Sequence, residues 1–156
     1  EELKQEIEFI RNMPNYFEWG DYVCVHAGVD LSISNWRNTS NKDFRWIRHP
    51  FHYGFNRTGK TFIFGHTPTL LLNWHIKPGS HDVWVSPCGT KIGIDGGAVF
   101  GGLLHGVVVG DDRLVVHSVS SDGEFVQKEM ALEGRCHASG NHSTVDRAWI
   151  RRLRPR

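Results

Sequence analysis

No apolar run in this chain of 156 residues approaches the roughly 18 needed for a membrane-crossing helix. Its first residues, Glu-Glu-Leu-Lys-Gln-Glu, form neither the basic head nor the apolar core of a secretory leader, so the expected location is the cytoplasm. Cysteine is scarce. Cys24, Cys88 and Cys136 are odd in number and irregularly spaced, which suggests neither a disulfide framework nor a zinc knuckle; each reads as a reduced small hydrophobe. Excess charge of one sign is missing as well, with 18 Lys and Arg against 17 Asp and Glu. That balance argues against a nucleic-acid-coating surface and against an acidic solvating tail. Repeats and low-complexity stretches are absent. At 39% hydrophobic and 22% charged residues, the composition is that of one globular domain able to bury a core.

Periodicity organises the first 133 residues. Leu3, Ile7, Ile10 and Met13 recur at helical spacing before Pro14, which predicts an amphipathic helix over the first thirteen residues. The apolar run Tyr22 to His26 then predicts a buried strand. Further strands are expected at Thr61 to Phe64, Val83 to Ser86, Lys91 to Ile94, Leu104 to Val109, Leu114 to Val119 and Phe125 to Glu129, separated by Gly, Pro, Asn and Asp turns. Ser40 and Asp43 resemble a capping box that opens a short helix carrying Phe44, Trp46 and Ile47, with Pro50 as its stop. The register fails near Gly134, and Arg147 to Arg156 holds five arginines. Residues 134–156 therefore read as a polar, basic tail outside the core, disordered or non-native.

Among ten histidines, two stand out by position. His26 ends an apolar strand before Ala27-Gly28, and His66 ends Phe62-Ile-Phe-Gly65 before Thr67-Pro68. Strand ends hold the backbone rigidly while loops leave the side chain accessible, which suits metal ligands. A lone strand-end histidine is by default a satisfied structural residue; two in one context leave the structural and ligand readings both open. Arg48, between them, carries a planar cation that matches two phosphate oxygens at once. His49 and His52, beside Pro50-Phe51, are expected at the surface. His75, His81, His105 and His117 have no motif around them, and Trp36, Trp46, Trp74 and Trp84 read as core or cleft-wall aromatics.

The segments His26-Ala-Gly28, Phe44-Arg-Trp-Ile-Arg48, Gly65-His-Thr-Pro68 and Ile94-Asp-Gly-Gly-Ala-Val-Phe-Gly-Gly102, in that order and spacing, resemble the bacterial calcineurin-like metallophosphoesterases, in particular their serine/threonine protein phosphatase branch. The resemblance runs from about Leu3 to Glu129. It implies an α/β fold, a β-sandwich flanked by helices, of which residues 1–133 would form the C-terminal half of a four-layer arrangement. It also implies that His26 and His66 ligate the second ion of a dinuclear divalent-metal centre, manganese foremost, with iron or zinc fitting too. Arg48 would grip the substrate phosphate, while Asp95, Phe100 and His49 would line or support the cleft. Asp95 has two readings, a support for a ligand histidine or the cap of its own turn. The glycine-rich segment lacks the lysine of a phosphate-binding loop.

The family's GDxH, GDxxDRG and GNHE segments do not occur in the core. Gly140-Asn-His-Ser143 and Val145-Asp-Arg147 mimic pieces of them in the wrong order. Two imidazoles without a carboxylate hold an ion weakly, so this chain alone is expected to be weakly active or inactive. Its substrate would be a phosphorylated protein or a small phosphoester, its partner the missing N-terminal half, with no nucleic acid and no membrane. Two alternatives stay open: a symmetrical diadenosine tetraphosphate hydrolase, and a non-catalytic phospho-binding half of a split or degenerate phosphatase.

Overall fold

The computed structural model describes residues 2–110 and 113–132; the expected tail at 134–156 lies outside them. α1 (Glu2–Arg11) follows the predicted amphipathic spacing, yet Leu3, Phe9 and Ile10 on it stay exposed. β1 (Tyr16–Trp19) and β2 (Tyr22–Val25) form a hairpin, with Phe17 opposite Cys24. β3 (Thr61–Phe64) then pairs in parallel with β2, and β5 (Lys91–Gly93) pairs in parallel with β3. The two-residue β4 (Trp84–Val85) closes the far edge antiparallel, giving the order β1-β2-β3-β5-β4. β6 (Leu103–Val109), β7 (Arg113–Ser120) and β8 (Phe125–Ala131) make a separate antiparallel meander.

The chain is thus mixed α/β with two sheets and short helices. Alternation along the strands sorts the core. Val23, Val25, Phe62, Phe64 and Trp84 point to one face of the mixed sheet, where they pack with Val29, Trp36, Phe44, Phe51 and Leu72. Ile63 and Ile92 point to the other, against Leu114 and Val116 of the meander. The meander does not reach across the whole of that second face. Phe17 and Trp19 on β1 remain 65% and 61% exposed there, an open apolar end of the sheet. Among the described residues no helix is long and apolar enough to cross a membrane.

Several boundaries differ from expectation. α2 (Asn41–Trp46) starts as read, with Ser40 Oγ accepting the Asp43 amide at 3.0 Å. It ends at Ile47, whose N–H bonds Asp43 C=O, and not at Pro50. Pro50 instead sits in the first turn of a further helix, α3 (His49–Tyr53), where its missing N–H costs nothing. β1, α3 and α4 (Thr69–Leu72) had no counterpart in the sequence reading. Trp36 and Trp84 are core, whereas Trp74 is exposed, neither core nor wall.

Candidate metal and phosphate site

β2 and β3 lie in register, Val25 opposite Phe64, and the pairing runs one step past both strands: Gly65 N–H donates to His26 C=O at 2.9 Å. The two chains therefore leave the sheet together. The imidazoles of His26 and His66 stand side by side, ring centroids 5.0 Å apart and tilted by 57°. His66 holds a φ of 64°, a left-handed conformation that costs a residue with a side chain about 1–3 kcal/mol. Thr67 N–H closes this turn on Gly65 C=O at 2.6 Å. Trp46, 64% exposed, stands edge-on to His66 at 5.2 Å, so it is a wall of the site and not core.

Burial, then the nearby Arg48 guanidinium and His26, push the His66 pKa below the usual imidazole range. Asp95 pulls it weakly the other way. The ring is therefore neutral at pH 7, the form that can donate a lone pair. Its Nε2 is buried without a hydrogen-bond partner, an unfavourable state for a polar atom that a bound cation would relieve.

Arg48 precedes α3 and sends Nη1 to Thr67 Oγ1 at 3.3 Å, which places the guanidinium beside the His66 turn. This is its one hydrogen bond among the described residues, so most of its five donors are open to an anion. His49 is exposed, its ring 4.7 Å from that of Tyr53. His52 corrects the surface expectation: it is 4% exposed, stacked on Phe64 at 5.3 Å. Desolvation, with Lys91 and Arg48 adding repulsion, lowers its pKa to about 4. Within α3 the buried residues are the adjacent Phe51 and His52, while His49 and Tyr53 stay exposed.

Sequence reasoning missed what holds α3 in place. Lys91, 2% exposed on β5, donates its ammonium to Phe51 C=O at 2.8 Å, His52 C=O at 2.9 Å and Gly54 C=O at 2.6 Å. Burial lowers its pKa to about 8. Those carbonyls end the helix and have no intrahelical partner, so the lysine fastens the segment that follows Arg48 onto the sheet. A lysine inside an apolar strand is the only sequence signal for this. Gly28 has an equally specific reason: a Cβ there would lie 2.4 Å from Phe51 Cδ1.

Asp95 caps its own turn, Oδ1 accepting the Gly97 N–H at 3.0 Å, while its carbonyl accepts the Thr69 N–H at 2.7 Å. It packs over Gly65, whose Cβ position is 3.9 Å from Asp95 Cβ. Phe100 lies at the tip of the loop after Asp95, 80% exposed, in a short 3-10 turn (Ala98–Phe100) flanked by left-handed Gly97 and Gly101. His26 also borders an open hollow of about 380 Å³ between the end of α1 and α2. Ile10, Met13 and Phe44 line it together with Arg11 and Arg45.

Among the described residues no group of three or more His, Cys, Asp or Glu side chains is placed to hold a metal ion. The His26–His66 pair supplies two neighbouring nitrogens, half of a tetrahedral shell. Comparison with protein-family models, with curated proteins and with solved structures returned no match.

Proposed function

We propose that the chain is the second-metal and phosphate-gripping part of a metal-dependent phosphoester hydrolase, similar to the calcineurin-like serine/threonine phosphatases. The observation that carries this is the pairing of two strand-end imidazoles at 5.0 Å, one with an orphaned buried Nε2, beside an arginine with open donors. A metal-dependent phosphoester hydrolase needs both: nitrogens for a cation, and a fixed positive fork for the phosphoryl oxygens.

In this reading His26 and His66 hold a divalent ion, manganese, iron or zinc, and the remaining ligands come from another polypeptide segment. The bound ion supplies Lewis acidity toward a phosphoryl oxygen. Arg48 binds the equatorial phosphoryl oxygens, its fork oriented by Thr67 Oγ1, and neutralises charge that grows toward the transition state. Trp46 limits water on one side of His66, and the depressed pKa keeps that imidazole unprotonated at neutral pH. The substrate class is a phosphomonoester on serine or threonine; a dinucleoside polyphosphate presents the same oxygens to Arg48. The non-catalytic alternative, phosphate binding without hydrolysis, needs only the open donors of Arg48.

The test is manganese-supplemented hydrolysis of an aryl phosphate by the chain, alone and mixed with a polypeptide carrying GDxH, GDxxDRG and GNHE segments. The expected result is little turnover alone, turnover in the mixture, and its loss in His66→Ala and Arg48→Ala. Turnover in the mixture that ignores both substitutions would overturn the proposal. Phosphate binding that depends on Arg48, without turnover in any mixture, selects the non-catalytic reading.

A further inference from the structure

Two histidines without a sequence motif, His81 and His105, form a polar chain from the antiparallel meander to the loop that carries Asp95. His105 on β6 is buried, and both ring nitrogens are engaged. Nδ1 faces Ser118 Oγ of β7 at 2.8 Å, and Nε2 faces the His81 carbonyl at 2.7 Å. A carbonyl only accepts, so Nε2 carries the proton and Nδ1 accepts from the serine hydroxyl. The same His81 carbonyl takes the Thr69 hydroxyl at 2.8 Å, which uses both of its lone pairs. The His81 ring in turn donates from Nδ1 to Gly96 C=O at 2.8 Å, and Leu103 N–H reaches that oxygen at 3.0 Å.

The loop has no slack around these imidazoles. A Cβ on Gly96 would lie 2.2 Å from Leu103 O and 2.7 Å from His105 Nε2. One on Gly102 would lie 2.0 Å from Gly96 O and 2.5 Å from His81 Nδ1. The two glycines are therefore the counterpart of the two rings: the loop backbone lies directly on the imidazoles. The ends of this chain bear on the candidate site. Asp95, next to Gly96, packs over Gly65 and accepts the Thr69 N–H, and Thr69 opens α4 three residues after His66.

We propose that His105 and His81 are positioning residues of the His26–His66 centre. Through the Ser118–His105–His81–Gly96 chain the meander fixes the height of the 95–102 loop over the mixed sheet. That sets the Asp95 carboxylate against the His66 turn and fixes the base of the Val99–Phe100 tip, both residues at least 80% exposed. The inference rests on the proposed reading of His26 and His66 as ligands, but its structural half is separately measurable.

The test compares wild type with His105→Leu, His105→Gln and Val116→Ala, the last a buried β7 change with no polar tie to the loop. Zinc affinity is read by titration, and amide hydrogen exchange is read at Thr69 and Gly97, whose N–H groups bond Asp95. His105→Leu is expected to weaken zinc about tenfold or more, as losing an outer support of a ligand does. It should also speed Thr69 and Gly97 exchange relative to the β6–β7 ladder. His105→Gln, whose Nε2 can still reach the His81 carbonyl, should recover most of both, and Val116→Ala should change neither selectively. Equal effects in His105→Leu and Val116→Ala, or unchanged exchange in His105→Leu, would overturn the positioning role. Wild type that binds no zinc through His26 and His66 would instead sink the metal reading, with exchange at Thr69 and Gly97 still deciding whether the loop is set by His105.

Discussion

Replacing Gly28 by alanine adds one methyl group at a crowded point two residues past His26. The new Cβ would sit 2.4 Å from Phe51 Cδ1, 2.5 Å from Cγ and 2.9 Å from Cε1, where carbon atoms rest at about 3.5–4.0 Å. The ring cannot easily retreat. It is fully buried and edge-on to Phe62 at 5.6 Å and to Phe64 at 5.1 Å. Overpacking of this kind costs about 1–3 kcal/mol. The backbone at Gly28, with φ of 156°, adds about 1 kcal/mol or more for a residue with a side chain. A loss of about 3 kcal/mol follows, a large share of the stability of a domain this size. Urea unfolding of Gly28→Ala, Phe51→Leu and the double variant measures it. Leucine opens room where the Cβ arrives, so the double variant should be more stable than additivity predicts by about 1–2 kcal/mol. A Gly28→Ala loss under about 0.5 kcal/mol, or an additive cycle, would refute the reasoning.

Lys91→Met should cost about 3 kcal/mol in the same urea assay, because three buried carbonyls lose their donor while relief from burying the ammonium offsets only part. A neutral result would mean the ammonium contributes no more than its desolvation costs. His52 predicts acid sensitivity. Its pKa is near 4 when folded and 6.5 in the unfolded chain, so the unfolded chain takes up a proton first and stability falls as pH drops from 6.5 through 4. The loss is roughly 2–3 kcal/mol, discounted for partial solvation. His52→Phe, which keeps the stack on Phe64, should flatten that slope, and an unchanged pH profile would contradict it.

What the sequence disclosed, and what it hid, follows the range of the interactions. β2 to β8 were legible because their side chains alternate or run apolar between turn residues, which are local signals. The Ser40 cap was legible for the same reason, since the hydroxyl and the Asp43 amide lie within one turn. β1 was not: Tyr-Phe-Glu-Trp is four residues long, and its pattern is set by Tyr16 packing on Trp36 and Phe44. α3 was hidden because Pro50 signals both a stop and a first turn. At the site, motif and position singled out His26, His66 and Arg48, and the register of β2 with β3 brings the two imidazoles together. His52, Lys91, His81 and His105 gave no such signal, because their partners lie 12–40 residues away along the chain.

The most direct measurement of the central claim is zinc or manganese titration of the intact chain followed by the ring resonances of His26 and His66 in NMR. The claim requires both rings to respond at the same metal concentration, and either His26→Ala or His66→Ala to abolish the response of the remaining ring. A response confined to other histidines, or one ring responding unchanged after the other is removed, would contradict it.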